Sequence, residues 1–135
     1  MEDIITQIIE LHKELSVMNV RKATLEKPTL TAMDKITELY VRFNEIVPSS
    51  TIHAQIDKER MFVLIVALLY SPSCIGGEKM KNGLRGYLAT TMNLGQEKVS
   101  KRFHTALDLF RFDKSFHAET IRIYKAMAEL FGWSA

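Results

Sequence analysis

Ten consecutive residues, Met61 to Tyr70 (MFVLIVALLY), carry no charge and no breaker, and any fold of this chain must be built around them. A helix that is apolar all round has no face for water, so such a segment belongs at the middle of a bundle. Its β-branched content also suits a buried strand. A membrane span is excluded by length, because the run is about half of what a transmembrane helix needs. The flanking segments have helical periodicity and there is no obvious partner strand. The run is therefore expected to be a central helix, from about Ile52 or Asp57 to Tyr70.

Towards the N-terminus, Ile4, Ile8, Leu11, Leu15 and Met18 recur in steps of four, three, four and three, and Ile5 and Ile9 widen the stripe. This heptad spacing predicts a helix from Asp3 to about Val20 with one packing seam. The seam is too short for an independent coiled coil, so it is expected to face the core, with a dimer seam as the alternative. Arg21 to Thr29, containing Pro28, reads as a polar connection. Thr31 and Asp34 signal the next helix start. Met33, Ile36, Tyr40, Phe43 and Val47 then line one face, with Leu39 and Ile46 beside it, until Pro48 ends the helix. Ser49, Ser50 and Thr51 offer caps for the central helix.

Ser71 to Gly83 (SPSCIGGEKMKNG) is the one long loop, although a short strand pair near it remains an alternative. It lacks the GxxxxGK[ST] arrangement, so a nucleotide phosphate loop is not expected. Lys79 and Lys81 instead set positive charge beside the segment that follows.

That segment, Leu88 to Phe103 (LATTMNLGQEKVSKRF), has the spacing of two helices crossing at a tight turn. Ala89 is small enough for close approach, and Leu88, Met92, Leu94 and Val99 would seal the wedge between the helices. Gly95 stands where the chain reverses and a positive φ is expected. The residues of the second helix left facing outward are polar, and half of them are positive: Gln96, Lys98, Ser100, Lys101, Arg102 and His104. From about Arg85 to Thr105 the pattern resembles the repressor and Cro type of phage helix-turn-helix. Two positions depart from it: Asn93 stands where glycine is commonest, and Arg102 where an aliphatic residue is usual. The resemblance implies a DNA-binding surface of Arg85, Gln96, Glu97, Lys98, Ser100, Lys101, Arg102 and His104, and Lys79 and Lys81 of the basic loop would extend it along the DNA backbone. In it, Gln96 and Glu97 would lie near base edges or phosphate, with Ser100, Lys101 and His104 further along the groove face. Lys79, Lys81, Arg85 and Lys101 or Arg102 would neutralise phosphates, and Gln96, Ser100 and His104 would read bases. The order of residues around Ser71-Pro72, Gly76-Gly77 and Gly83-Leu84-Arg85 is also similar to short proteins carried by phages and mobile elements of gut Bacteroidetes.

Charge supports the same half of the chain. The formal net charge is only +2, yet Lys79 to Lys125 carries ten basic against four acidic residues, a net of +6, and the remainder carries −4. That asymmetry matches a nucleic-acid footprint on one part and a neutral or acidic surface on the other.

After the hairpin, the second helix is expected to run to about Phe110, with a turn at Arg111 to Lys114. A final helix from Ser115 to Phe131 would bury Phe116, Ile121 or Ile123, Tyr124, Met127 and Leu130, and Trp133 would fold back onto the body. The four histidines share no metal-ligand spacing, and the single cysteine, Cys74, suits a reducing compartment. No nucleophile motif is present, and the amphipathic, acid-led start is unlike a signal peptide.

The expectation is an all-α bundle of five to six helices in one domain, residues 1–135. Residues 1–70 would be scaffold or dimerisation helices, and 79–131 the helix-turn-helix and its closing helix. The expected protein is cytoplasmic, without cofactor, catalysis, membrane or small-molecule substrate. It would bind double-stranded DNA, with a homodimer possible. The alternative is a helical adaptor or phage assembly module with no nucleic-acid role.

Overall fold

The computed structural model describes residues 2–47 and 55–133, with side chains from residue 4 onward. Six α-helices and one 3-10 turn make up these residues, and no strand occurs among them. The helices are α1 (Glu2–Leu25), α2 (Lys35–Ile46), α3 (Gln55–Tyr70), α4 (Leu84–Met92), α5 (Gln96–Phe112) and α6 (Lys114–Phe131), and the 3-10 turn is Pro72–Gly76. The helix-ending Pro48 and the caps Ser49 to Thr51 lie outside the described residues. No described helix is long and apolar enough to cross a membrane.

The apolar run is the hub. From Met61 to Tyr70 only Leu68 reaches the surface, and α3 packs against α2, α4, α5, α6 and the 3-10 turn. A helix with neighbours on every side needs no polar face, which is why this run is uninterrupted. Upon it α2 lays Ile36, Leu39 and Phe43, whose ring meets Phe62 at 5.2 Å between centroids. From α6 come Phe116, Thr120, Ile123, Met127 and Ala128. Ile121 and Tyr124 are half-buried, and Leu130, expected in the core, is exposed. Trp133 folds back and stacks on Phe131, with ring centroids 5.5 Å apart.

Three connections differ from expectation. The predicted turn at Arg111 to Lys114 shrinks to the single residue Asp113, whose carboxylate accepts the Phe116 N–H at 3.0 Å and caps α6. One residue suffices because its extended backbone redirects the chain while its side chain satisfies a free helix-end donor. The loop after α3 carries a 3-10 turn. Finally, α1 continues through most of the expected polar connection to Leu25, and Lys22 in its last turn forms a surface ion pair at 3.6 Å with Glu26, just past its end.

The larger correction concerns α1. Every side chain from Ile4 to Leu25 is exposed, so its stripe does not face the core. The following segment explains why. The backbone N–H groups of Thr29 and Leu30 both donate to Leu69 O, and Tyr70 Oη donates to Ala32 O at 2.6 Å. The connection is thus pinned to the end of α3, and the core is already closed by α2 to α6.

Candidate functional site

The hairpin predicted from sequence is present as α4, a three-residue turn and α5. Leu88, Ala89, Met92 and Val99 are buried between and beneath the two helices, and Leu94 is half-buried. The turn is made differently from the expectation. Gly95 has φ −73° and ψ 153°, an extended conformation open to any residue, whereas Asn93 takes the left-handed one, with φ 56° and ψ 49°. Asn93 N–H donates to Thr90 O and Leu94 N–H to Ala89 O, a Schellman closure that satisfies the last carbonyls of α4. A left-handed residue is required one position past the helix end, and that position is Asn93. Asparagine is the best substitute for glycine there.

Two polar contacts fix how α5 lies. Arg85 Nη1 donates to Ser100 Oγ at 3.2 Å, joining α4 to α5. Gly86, lacking a Cβ, leaves room for the Gln96 side chain, whose Nε2 is 3.5 Å from where a Cβ would stand. On the opposite side of α5, Arg102 Nε donates to Glu59 Oε1 of α3 at 3.0 Å. Ser71 is also buried, at the foot of the loop, and its Oγ accepts the Lys81 N–H at 3.0 Å. That bond ties the returning strand of the loop to the end of α3 and so sets where Lys79 and Lys81 emerge.

Between this loop and α5 lies an open groove of about 780 Å³. Six of the ten predicted residues line it: Lys79, Lys81 and Arg85 from the loop and α4, Gln96, Ser100 and His104 from α5. Glu97, Lys98 and Lys101 are exposed but outside it. Arg102 is set apart from the others: its side chain is only 16% exposed, and it is spent on Glu59 rather than presented to solvent. The carboxylate opposite it needs a cation, which its guanidinium supplies.

Sequence reasoning missed Glu78 and Asn82, which line the groove from the loop, and Phe103 and Leu107, which line it from α5. Helical periodicity assigns Phe103 and Leu107 to the core, and only the loop's path makes them part of a groove. Cys74 also borders it and is nearly buried, and desolvation pushes its thiol up, which favours the protonated form. Among the described residues no cluster of His, Cys, Asp and Glu could hold a metal ion. The chemistry available is that of a concave, cationic, hydrogen-bonding surface with an apolar floor. No protein-family model matches this chain, and no curated protein and no solved structure matches it.

Proposed function

We propose that the protein binds duplex DNA as a sequence-reading regulator, with α5 in the major groove. One observation carries the reading: Gln96, Lys98, Lys101 and His104 stand exposed on α5, facing away from the core, with Lys79 and Lys81 across an open groove and Arg85 beside Ser100 at its edge. An α-helix fits the major groove of B-DNA, and side chains of this length reach base edges there. The sugar–phosphate strand bordering the major groove then runs between α5 and the loop. Lys79, Lys81 and Arg85 neutralise it and set the register. Gln96, Ser100 and His104 face the bases, Glu97 accepts from a cytosine amine or orients a neighbour, and Lys98 and Lys101 meet the opposite strand. Arg102 acts from behind, holding α5 against α3 through Glu59. A single hairpin covers few base pairs, so two copies on a two-fold site provide useful specificity. The setting is cytoplasmic, in a phage or mobile element.

The exposed apolar stripe of α1 favours a second reading, a helical interaction module in which the hairpin is structural. Duplex binding followed by fluorescence anisotropy separates the two. With about six phosphates neutralised, affinity falls on the order of a thousandfold between 50 and 200 mM salt. Lys98→Glu with Lys101→Glu abolishes binding and leaves the circular dichroism spectrum unchanged. No binding at any salt gives the interaction module precedence. Selection of bound sequences from a random pool then separates sequence reading from shape binding.

A further inference from the structure

The least explained surface of the molecule is α1, a helix of 24 residues whose large apolar side chains are all in water. Ile8 is 57% exposed, Leu11 63%, Leu15 53% and Met18 64%. Contiguous apolar surface of this kind on a helix marks a contact surface rather than a solvated face. We infer that α1 pairs with α1 of a second copy of this chain, side by side and antiparallel.

The spacing selects another helix as the occupant. Ile4, Ile8, Leu11, Leu15, Met18, Lys22 and Leu25 follow one unbroken alternation of four and three, the seam of a two-helix coiled coil. Only Lys22 interrupts it. Parallel pairing would set Lys22 against the same residue of the other copy inside the seam, and would align like charges along the whole helix. Antiparallel pairing removes the first and confines the second to Lys13 and Glu14 beside the two-fold axis. It brings Leu11 opposite Leu15, Ile8 opposite Met18, and Lys22 opposite Ile4, where the lysine stem lies on the isoleucine and the ammonium reaches water at the end of the pair. The apolar register and the place of Lys22 thus select one arrangement, which is self-complementary about a two-fold axis.

The pairing does not rest on the DNA reading, but one consequence does. A helix of 24 residues is roughly 36 Å long. Because each body is attached at the C-terminal end of its α1, an antiparallel pair holds the two attachment points about that far apart. Half-sites one duplex turn apart are separated by about 34–36 Å.

The test uses the full chain without DNA, so its failure leaves the DNA reading standing, and the converse also holds. Sedimentation at micromolar concentration is expected to give twice the chain mass of 15.5 kDa. Leu11→Glu with Leu15→Glu weakens the dimer about a hundredfold or more, and leaves the melting of the body unchanged because neither side chain is buried in it. Orientation is read by pulsed electron paramagnetic resonance with one spin label at Thr24→Cys in a Cys74→Ser background. Antiparallel helices hold the labels roughly 33 Å apart, whereas parallel ones hold them within about 20 Å. A monomer at all concentrations overturns the pairing, as does a monomer that instead binds anionic lipid vesicles through α1. A short label distance overturns the antiparallel arrangement.

Discussion

Arg102 Nε lies 3.0 Å from Glu59 Oε1, and this contact between residues 43 apart in sequence clamps α5 onto α3. The two side chains are 16% and 10% exposed, so both charges have largely left water. The attraction between them offsets a desolvation cost that neither could bear alone.

Removing one partner should therefore hurt more than removing both. Glu59→Ala is expected to cost about 2–4 kcal/mol, since it strands the guanidinium. Arg102→Leu with Glu59→Leu should recover most of that loss, because an apolar pair of similar size fits the same site. Urea unfolding of the two variants checks this. Equal losses in both would mean that the pair contributes packing and not charge.

The turn between α4 and α5 makes opposite predictions for two neighbouring residues. Asn93→Val should destabilise by about 1–2 kcal/mol, because a β-branched residue resists the left-handed region. Gly95 sits in the capping position of α5 with an extended backbone, and a Cβ added there meets nothing within 4 Å. Gly95→Ser should raise stability by about 1 kcal/mol, by supplying the missing cap and by restricting the unfolded chain. Thermal melts of both variants suffice. A destabilised Gly95→Ser would refute this account of the turn.

Tyr70 predicts an alkaline transition. Its side chain is buried, and desolvation, with Asp34 and Tyr87 adding to it, pushes the phenol from 10.0 up to about 12. The folded state thus favours the neutral form. Its contribution is complete below about pH 10 and is lost as pH rises from there through 12, amounting to roughly 2–3 kcal/mol. Tyr70→Phe removes the hydrogen bond to Ala32 O, lowering stability at neutral pH by about 1 kcal/mol. It should also flatten that alkaline loss, and urea midpoints measured across this range compare the two proteins.

On DNA, the two walls of the groove should respond differently. Lys79→Ala is expected to weaken binding to all sequences alike and to reduce the salt slope by about 1, as loss of one phosphate contact does. Gln96→Ala should instead relax preference at one base position, costing about 1–3 kcal/mol on the best site and little elsewhere. Anisotropy on selected and scrambled duplexes distinguishes these outcomes. Equal losses on both duplexes for Gln96→Ala would remove it from the base-reading set.

Much of this molecule was legible in its residues. The run at Met61 to Tyr70 could only be a hub once helices flanked it, and Ile36, Phe43 and Val47 of the expected inward face of α2 are buried, whereas Met33 and Tyr40 are half-buried and Leu39, expected beside that face, is in the core. Leu88, Ala89, Met92, Leu94 and Val99 identified the hairpin because a close helix crossing demands small and apolar residues at those places. The groove was less legible. Lys79 and Lys81 stand near α5 only because Ser71 Oγ holds Lys81 N–H, a bond that spacing does not encode.

What the sequence settled alone is local: where helices run, which side of each is apolar, and that one half of the chain is basic. Periodicity records that a face avoids water, but not what covers it. The stripe on α1 and the stripe on α2 look alike on paper, and only the closing of the core by α2 to α6 left one of them outside. In the same way, a basic residue in a polar helix reads as solvent-facing until the crossing of α5 over α3 brings Glu59 to Arg102. Contacts between distant segments depend on how helices cross, and that angle is a property of the packed whole.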